Sequence, residues 1–192
     1  LLYAFMAVFL IDIVRLIDKF FPFVPYKLFS TIQYFKLAVF GLVSLYLLIV
    51  VGYGMYNANN IQIKTMNITL PKKGSNLTEL DVAFLSDTHF SPITGYNKAE
   101  QIHQLLEGIK PDLILMGGDI IDDKAHHLIR HDIDKKLKEI KAPLGVITIN
   151  GNHEFINGYV ESIDFIQRTG IKLLADSMMV IDNNLVIVGR ED

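Results

Sequence analysis

The sequence predicts an α/β fold of mixed β-sheets flanked by helices, preceded by two transmembrane helices. Short apolar runs each end in a cluster of Asp, His or Asn, and stretches of helical periodicity separate those runs. Residues 37–56 contain no charge at all. A brief apolar run closed by turn residues suits a strand buried on both faces, and its alternation with amphipathic helices marks parallel β-α-β units.

Residues 1–56 read as a membrane anchor. Residues 1–11 are apolar and uncharged. Crossing a hydrocarbon core takes about 20 such residues, so this first helix is expected to continue upstream. Asp12 and Arg15 are three apart, close enough to pair on one helical face. Phe20-Phe21-Pro22-Phe23-Val24-Pro25-Tyr26 then breaks the helix with two prolines among aromatics that suit a membrane interface. Residues 37–56 supply a full crossing. Arg15, Lys19, Lys27 and Lys36 lie in or beside the connecting loop, which the positive-inside rule puts in the cytoplasm. A multi-pass membrane protein with its larger domain outside the cytoplasm is the expectation.

Residues 57–79 are expected to form a polar linker and leading strands, because 61–64 and 66–70 alternate apolar with polar side chains and 71–76 is rich in turn residues. Residues 80–192 carry the α/β pattern. Val82-Ala83-Phe84-Leu85, Leu113-Ile114-Leu115-Met116 and Gly145-Val146-Ile147-Thr148-Ile149 are the candidate strands. Ile102, Leu105, Leu106 and Ile109 mark a helix that stops before Pro111. Ile129, Ile133, Leu137 and Ile140 mark a second ending before Pro143, and Val160, Ile163 and Ile166 a third ending at Gly170. Residues 178–181 and 185–188 flank Asp182-Asn183-Asn184 as a hairpin, whose antiparallel strands make the sheet mixed.

Composition narrows the chemistry. The chain carries a formal charge of -3, and residues after 60 hold -5 of it against +2 before them. Such a domain lacks the basic face that a nucleic-acid backbone requires, so no nucleic-acid partner is expected. Without cysteine, thiolate metal sites and disulfides are excluded, and any metal must be held by oxygen and imidazole.

The candidate strands deliver such donors to one rim, since ligands of open α/β sheets bind at the carboxyl ends of strands. Asp87 and His89 alternate in an extended stretch and offer an oxygen and a nitrogen to one divalent cation. Asp119, after Gly117 and Gly118, has two oxygens and could bridge two cations. Asn152 offers a neutral amide oxygen, and His153 is better placed to meet a substrate. Asp123 and Glu154 read as supporting or capping groups. His103, His126, His127 and His131, with Lys136 among their neighbours, read as exposed.

Asp87-Thr88-His89, Gly118-Asp119-Ile120-Ile121-Asp122 and Gly151-Asn152-His153-Glu154 resemble, in order and spacing, the signature of calcineurin-like metallophosphoesterases, and the preceding apolar segments resemble their membrane-anchored bacterial members. The resemblance implies an α-β-β-α sandwich. It also implies two divalent ions of the Mn, Fe or Zn class: Asp87 and His89 on the first, Asp119 bridging, and Asn152 on the second. It gives His153 a catalytic role at the phosphoryl group or leaving oxygen, with Asp122 orienting its ring, and a metal-activated hydroxide as nucleophile. The expected function is membrane-anchored hydrolysis of a phosphate ester. A lipid-linked substrate is one expectation, and monoesters, diesters and pyrophosphates are all open. The family's further histidine and Gly-His-x-His block have no counterpart after Glu154, so the chain is expected to be truncated. The alternative is a noncatalytic membrane-tethered binding or scaffold module with an incomplete metal site.

Overall fold

The computed structural model describes residues 2–22, 32–69, 78–182 and 185–191. The chain divides into two compact units, residues 1–62 and 63–192. The first consists of α1 (Leu2–Phe20) and α2 (Ile32–Asn59). Most of the predicted aromatic turn falls outside the described residues. Within α1, Arg15 and Asp12 pair at 3.4 Å, as their spacing predicts. Among the described residues one helix, Gln33–Asn59, is long and apolar enough to cross a membrane, with a mean hydropathy of 2.3. The expectation of two such helices is corrected on this point. Asp12, Arg15, Asp18 and Lys19 all lie inside α1, and each charge at a bilayer centre costs about 2.5–3.5 kcal/mol.

The second unit contains β1 (Val82–Leu85), α3 (Gly95–Ile109), β2 (Leu113–Met116), α4 (Ala125–Arg130), α5 (Ile133–Leu137), β3 (Val146–Thr148), α6 (Asn152–Ile156), α7 (Tyr159–Thr169), β4 (Lys172–Leu173), β5 (Ser177–Ile181) and β6 (Leu185–Gly189). Four strands form one sheet in the order β1-β2-β3-β4, every neighbour parallel. Because that order never reverses, right-handed crossovers carry all the connecting helices to the same face. Ile114, Ile102, Leu106, Leu128, Ile133, Leu137, Phe165 and Ile166 are buried in the core.

The opposite face takes the hairpin. Strands β5 and β6 pair antiparallel as a separate two-stranded sheet. Ile181, with Met179, Leu185 and Ile187, packs against Leu113, Leu115, Ile147 and Leu174. The hairpin therefore lies over the parallel sheet and does not extend it, which corrects the reading of one mixed sheet. The alternation of side chains along β2 is what lets Leu113 and Leu115 meet this second layer from one face of the strand.

Four further sequence expectations are corrected. Residues 61–69 form no strand, because alternation alone does not stabilise a strand that has no partner edge. The second predicted helix is two short ones, α4 and α5, since Asp132 adopts φ 57° and interrupts the hydrogen-bond ladder. Lys136 is buried, because its ammonium bridges Glu100 on α3 and Glu139 and draws the side chain inward. His103 is half-buried beside Glu107 at 3.6 Å.

Phe165 is 1% exposed in the helical layer. Phe165→Ala is expected to cost about 3–5 kcal/mol in pulse proteolysis across a urea series of the detergent-solubilised chain. A loss under about 1 kcal/mol would contradict the packing described.

Candidate metal centre

The loops leaving β1, β2 and β3 lie side by side because their backbones continue to pair beyond the strands. The His89 N–H donates to the Asp119 carbonyl at 3.0 Å, the Phe90 N–H to the Ile120 carbonyl at 2.7 Å, and the Asp122 N–H to the Phe90 carbonyl at 2.9 Å. Asp87, His89 and Asp119 all adopt left-handed backbone, with φ of 54°, 44° and 50°. That conformation costs a non-glycine residue on the order of 1 kcal/mol or more and persists where surrounding contacts enforce it.

Glu154 supplies much of that enforcement. It is fully buried, and its two oxygens accept four backbone N–H groups from two loops. Oε2 takes those of Asp119 at 3.0 Å and Gly151 at 2.8 Å; Oε1 takes those of Ile120 at 2.8 Å and Ile121 at 3.2 Å. The bond to Gly151 also caps α6, the helix that presents Asn152 and His153. Glycine makes the close approach feasible. A Cβ on Gly118 would sit 2.6 Å from the Gly151 nitrogen, and one on Gly151 would sit 2.3 Å from Asp119 Oδ1. Behind the first loop, Lys98 Nζ donates to the Thr88 carbonyl at 3.0 Å.

These constraints gather His89, Asp119 and His153 with one ligand atom each inside 4.8 Å of the others. The imidazoles of His89 and His153 meet edge to face, centroids 4.3 Å apart. His89 Nε2 lies 3.9 Å from both Asp87 Oδ1 and Asp119 Oδ2, and Asp87 is the more exposed of the two carboxylates. Asp122 Oδ1 stands 2.9 Å from His153 Nδ1 and 3.6 Å from His89 Nδ1. The end of the Asn152 amide lies 3.0 and 3.1 Å from the Asp119 carboxylate oxygens. Turned one way the amide donates NH2 to Asp119. Turned the other, its oxygen joins the two carboxylate oxygens as donors to a cation. His153 Nδ1 is buried, and Asp122 Oδ1 is the group facing it. Convergent carboxylate, amide and imidazole donors fit a divalent transition metal.

Sequence reasoning assigned no role to several groups at this rim. Arg190, Glu191 and Asn150 line the same open cleft as Asp87, Asp119 and Asn152. Glu191 Oε1 accepts from Asn150 Nδ2 at 2.9 Å and from the Tyr159 hydroxyl at 2.8 Å, and that hydrogen bond is the main reason the Tyr159 pKa is raised above the ordinary phenol value. The signal in the sequence was position: Arg190 and Glu191 follow a strand end, as the other three blocks do.

Glu154→Gln replaces one acceptor oxygen with an NH2 that faces two backbone donors whichever way the amide turns. It is expected to cost about 2–4 kcal/mol in the same proteolysis assay and to weaken Mn2+ binding in a calorimetric titration. Wild-type stability in this variant would show that the four N–H groups find other partners.

The sequence profile of the calcineurin-like phosphoesterase family matches residues 80–189, more than half of the chain. An uncharacterized metallophosphoesterase of Aquifex aeolicus is 32% identical over 60% of this chain and 43% of its own length. A putative metallophosphoesterase of Caenorhabditis elegans is 30% identical over 72% of this chain and 30% of its own. A Danio rerio protein named as a transmembrane protein with a metallophosphoesterase domain is 28% identical over 65% and 29%. The chain thus spans less than half the length of these relatives. The profile match covers all three loops that build the candidate metal-ligand cluster, and the chain belongs to the calcineurin-like phosphoesterase family.

Proposed function

We propose that this chain is a membrane-anchored, metal-dependent phosphoesterase. The observation that carries the reading is the convergence of His89, Asp119 and His153 within 4.8 Å at three parallel strand ends, with the Asn152 amide against Asp119. Asp87, His89 and Asp119 would hold one divalent ion and Asp119 with Asn152 a second, the ions being of the Mn, Fe or Zn class. Such ions would supply Lewis acidity, neutralising phosphoryl oxygens and making a nearby water more acidic.

The chain's own residues do the rest. Asp122, 2.9 Å from His153 Nδ1, orients the ring so that Nε2 is the atom left for the substrate. A protonated Nε2 gives its proton to the departing ester oxygen, a role that suits an imidazole near neutral pH. The helix Gln33–Asn59 supports membrane anchoring. With the basic loop on the cytoplasmic side, the catalytic domain faces away from the cytoplasm, where a lipid-linked or cell-envelope phosphate is a fitting substrate. A noncatalytic tethered module holding one cation is the second reading, and it rests on Asp87 being far more exposed than Asp119 at the same distance from His89.

Mn2+-stimulated hydrolysis of p-nitrophenyl phosphate or bis(p-nitrophenyl) phosphate by the detergent-solubilised chain separates the two. Turnover is the expected result, and none with either ester would favour the binding module. His153→Ala is expected to keep bound metal and lose turnover by about 100-fold or more; unaltered steady-state rates would remove the general-acid role. Asp119→Asn is expected to lower metal occupancy, and full occupancy by elemental analysis would contradict the bridging assignment.

A further inference from the structure

The cleft beside the metal ligands has a volume of about 520 Å³, and Arg190 is the one cation among the residues lining it. The segment that carries it is fixed on both sides of Glu191. The side chain accepts from Asn150 and Tyr159 at 2.9 and 2.8 Å, and the Glu191 N–H donates to Asp176 Oδ1 at 3.0 Å. Arg190 itself makes no ion pair among the described residues, although Asp87, Asp119 and Glu191 share its cleft. Those carboxylates have other partners: Ser86 Oγ donates to Asp87, the His153 N–H to Asp119, and Asn150 with Tyr159 to Glu191. Asn150 is 1% exposed, and its Oδ1 lacks any hydrogen bond among the described residues.

We infer that Arg190 and Asn150 form a second-phosphoryl subsite, and that the substrate is a phosphoanhydride. This deepens the phosphoesterase reading above and rests on it. A planar guanidinium offers paired N–H donors that match two phosphoryl oxygens. Metal ions held by Asp87, His89, Asp119 and Asn152 already compensate the charge of the phosphoryl group to be cleaved. An additional cation in the same cleft, with no ion pair among the described residues, therefore calls for a second anionic group on the same ligand. The neighbouring phosphoryl of an anhydride supplies it, and Asn150, through its Nδ2 hydrogen bond to Glu191, holds the Arg190 segment at the cleft. In the reaction the oxygen of water bonds to the scissile phosphorus and the bridging P–O bond breaks. The departing phosphoryl takes one proton, giving two phosphoric products with no further co-reactant.

The test is calorimetric binding of methylenediphosphonate and methylphosphonate to the Mn2+-loaded full chain in detergent. Neither compound has a hydrolysable P–O–P bond, and they differ in the second phosphoryl. The wild type is expected to prefer the diphosphonate, Arg190→Ala to reduce that preference by about tenfold or more, and Arg190→Lys to recover part of it. A wild type without the preference, or an Arg190→Ala variant that retains it in full, overturns the subsite. Turnover of p-nitrophenyl phosphate is followed in parallel. An Arg190-dependent preference without turnover would sink the phosphoesterase reading and leave the subsite standing, whereas turnover without the preference would sink the subsite alone.

Discussion

Four backbone N–H groups converge on one buried carboxylate, that of Glu154, and the geometry of the candidate metal-ligand cluster follows from it. The carboxylate joins the loop after β2 to the loop after β3, so Asp119 and the start of α6 are held at one distance. An uncompensated buried carboxylate would be very costly, while one that accepts four hydrogen bonds is compensated and rigid. The loops could have been ordered in other ways, but each alternative would need separate partners for donors that Glu154 satisfies together.

The same bridge holds the Asp119 backbone, and the Gly118 and Asp119 carbonyls in turn accept from the Asp87 and His89 N–H groups. Asp87, His89 and Asp119 occupy left-handed conformations, and glycines at 118 and 151 leave room for the two loops to touch. Strain of this kind concentrates where side chains must be aimed at a common point. In this cluster it aims two imidazoles and one carboxylate, drawn from three strands, at a region smaller than 5 Å. The sheet makes that possible. Sequential parallel strands share one carboxyl edge, and the helices, all on one face, leave the other for the β5–β6 hairpin, whose end brings Arg190 and Glu191 into the cleft.

Much of this was legible in the sequence because strand ends are where period and punctuation change together. Apolar runs followed by Gly-Asp, Asp-Thr-His and Gly-Asn-His identified β1, β2 and β3 and the residues at their ends. Lys136 was misread because its neighbours are charged, and charge pattern alone cannot tell a solvated lysine from one drawn inward by two glutamates. The split between α4 and α5 was missed because Ile129, Ile133 and Leu137 keep helical spacing across the interruption at Asp132.

The sequence by itself determined the α/β class, the parallel strands, the apolar helix α2 and which side chains stand at the strand ends, since each depends on local period or on side-chain type. The tertiary structure alone decided that the hairpin lies across the sheet, that Glu154 ties two loops, that His153 joins His89 and Asp119, and that Arg190 shares their cleft. Each of these is a contact between residues many positions apart. No local pattern encodes such contacts, because they are set by how completely buried polar groups and apolar faces can be satisfied at the same time.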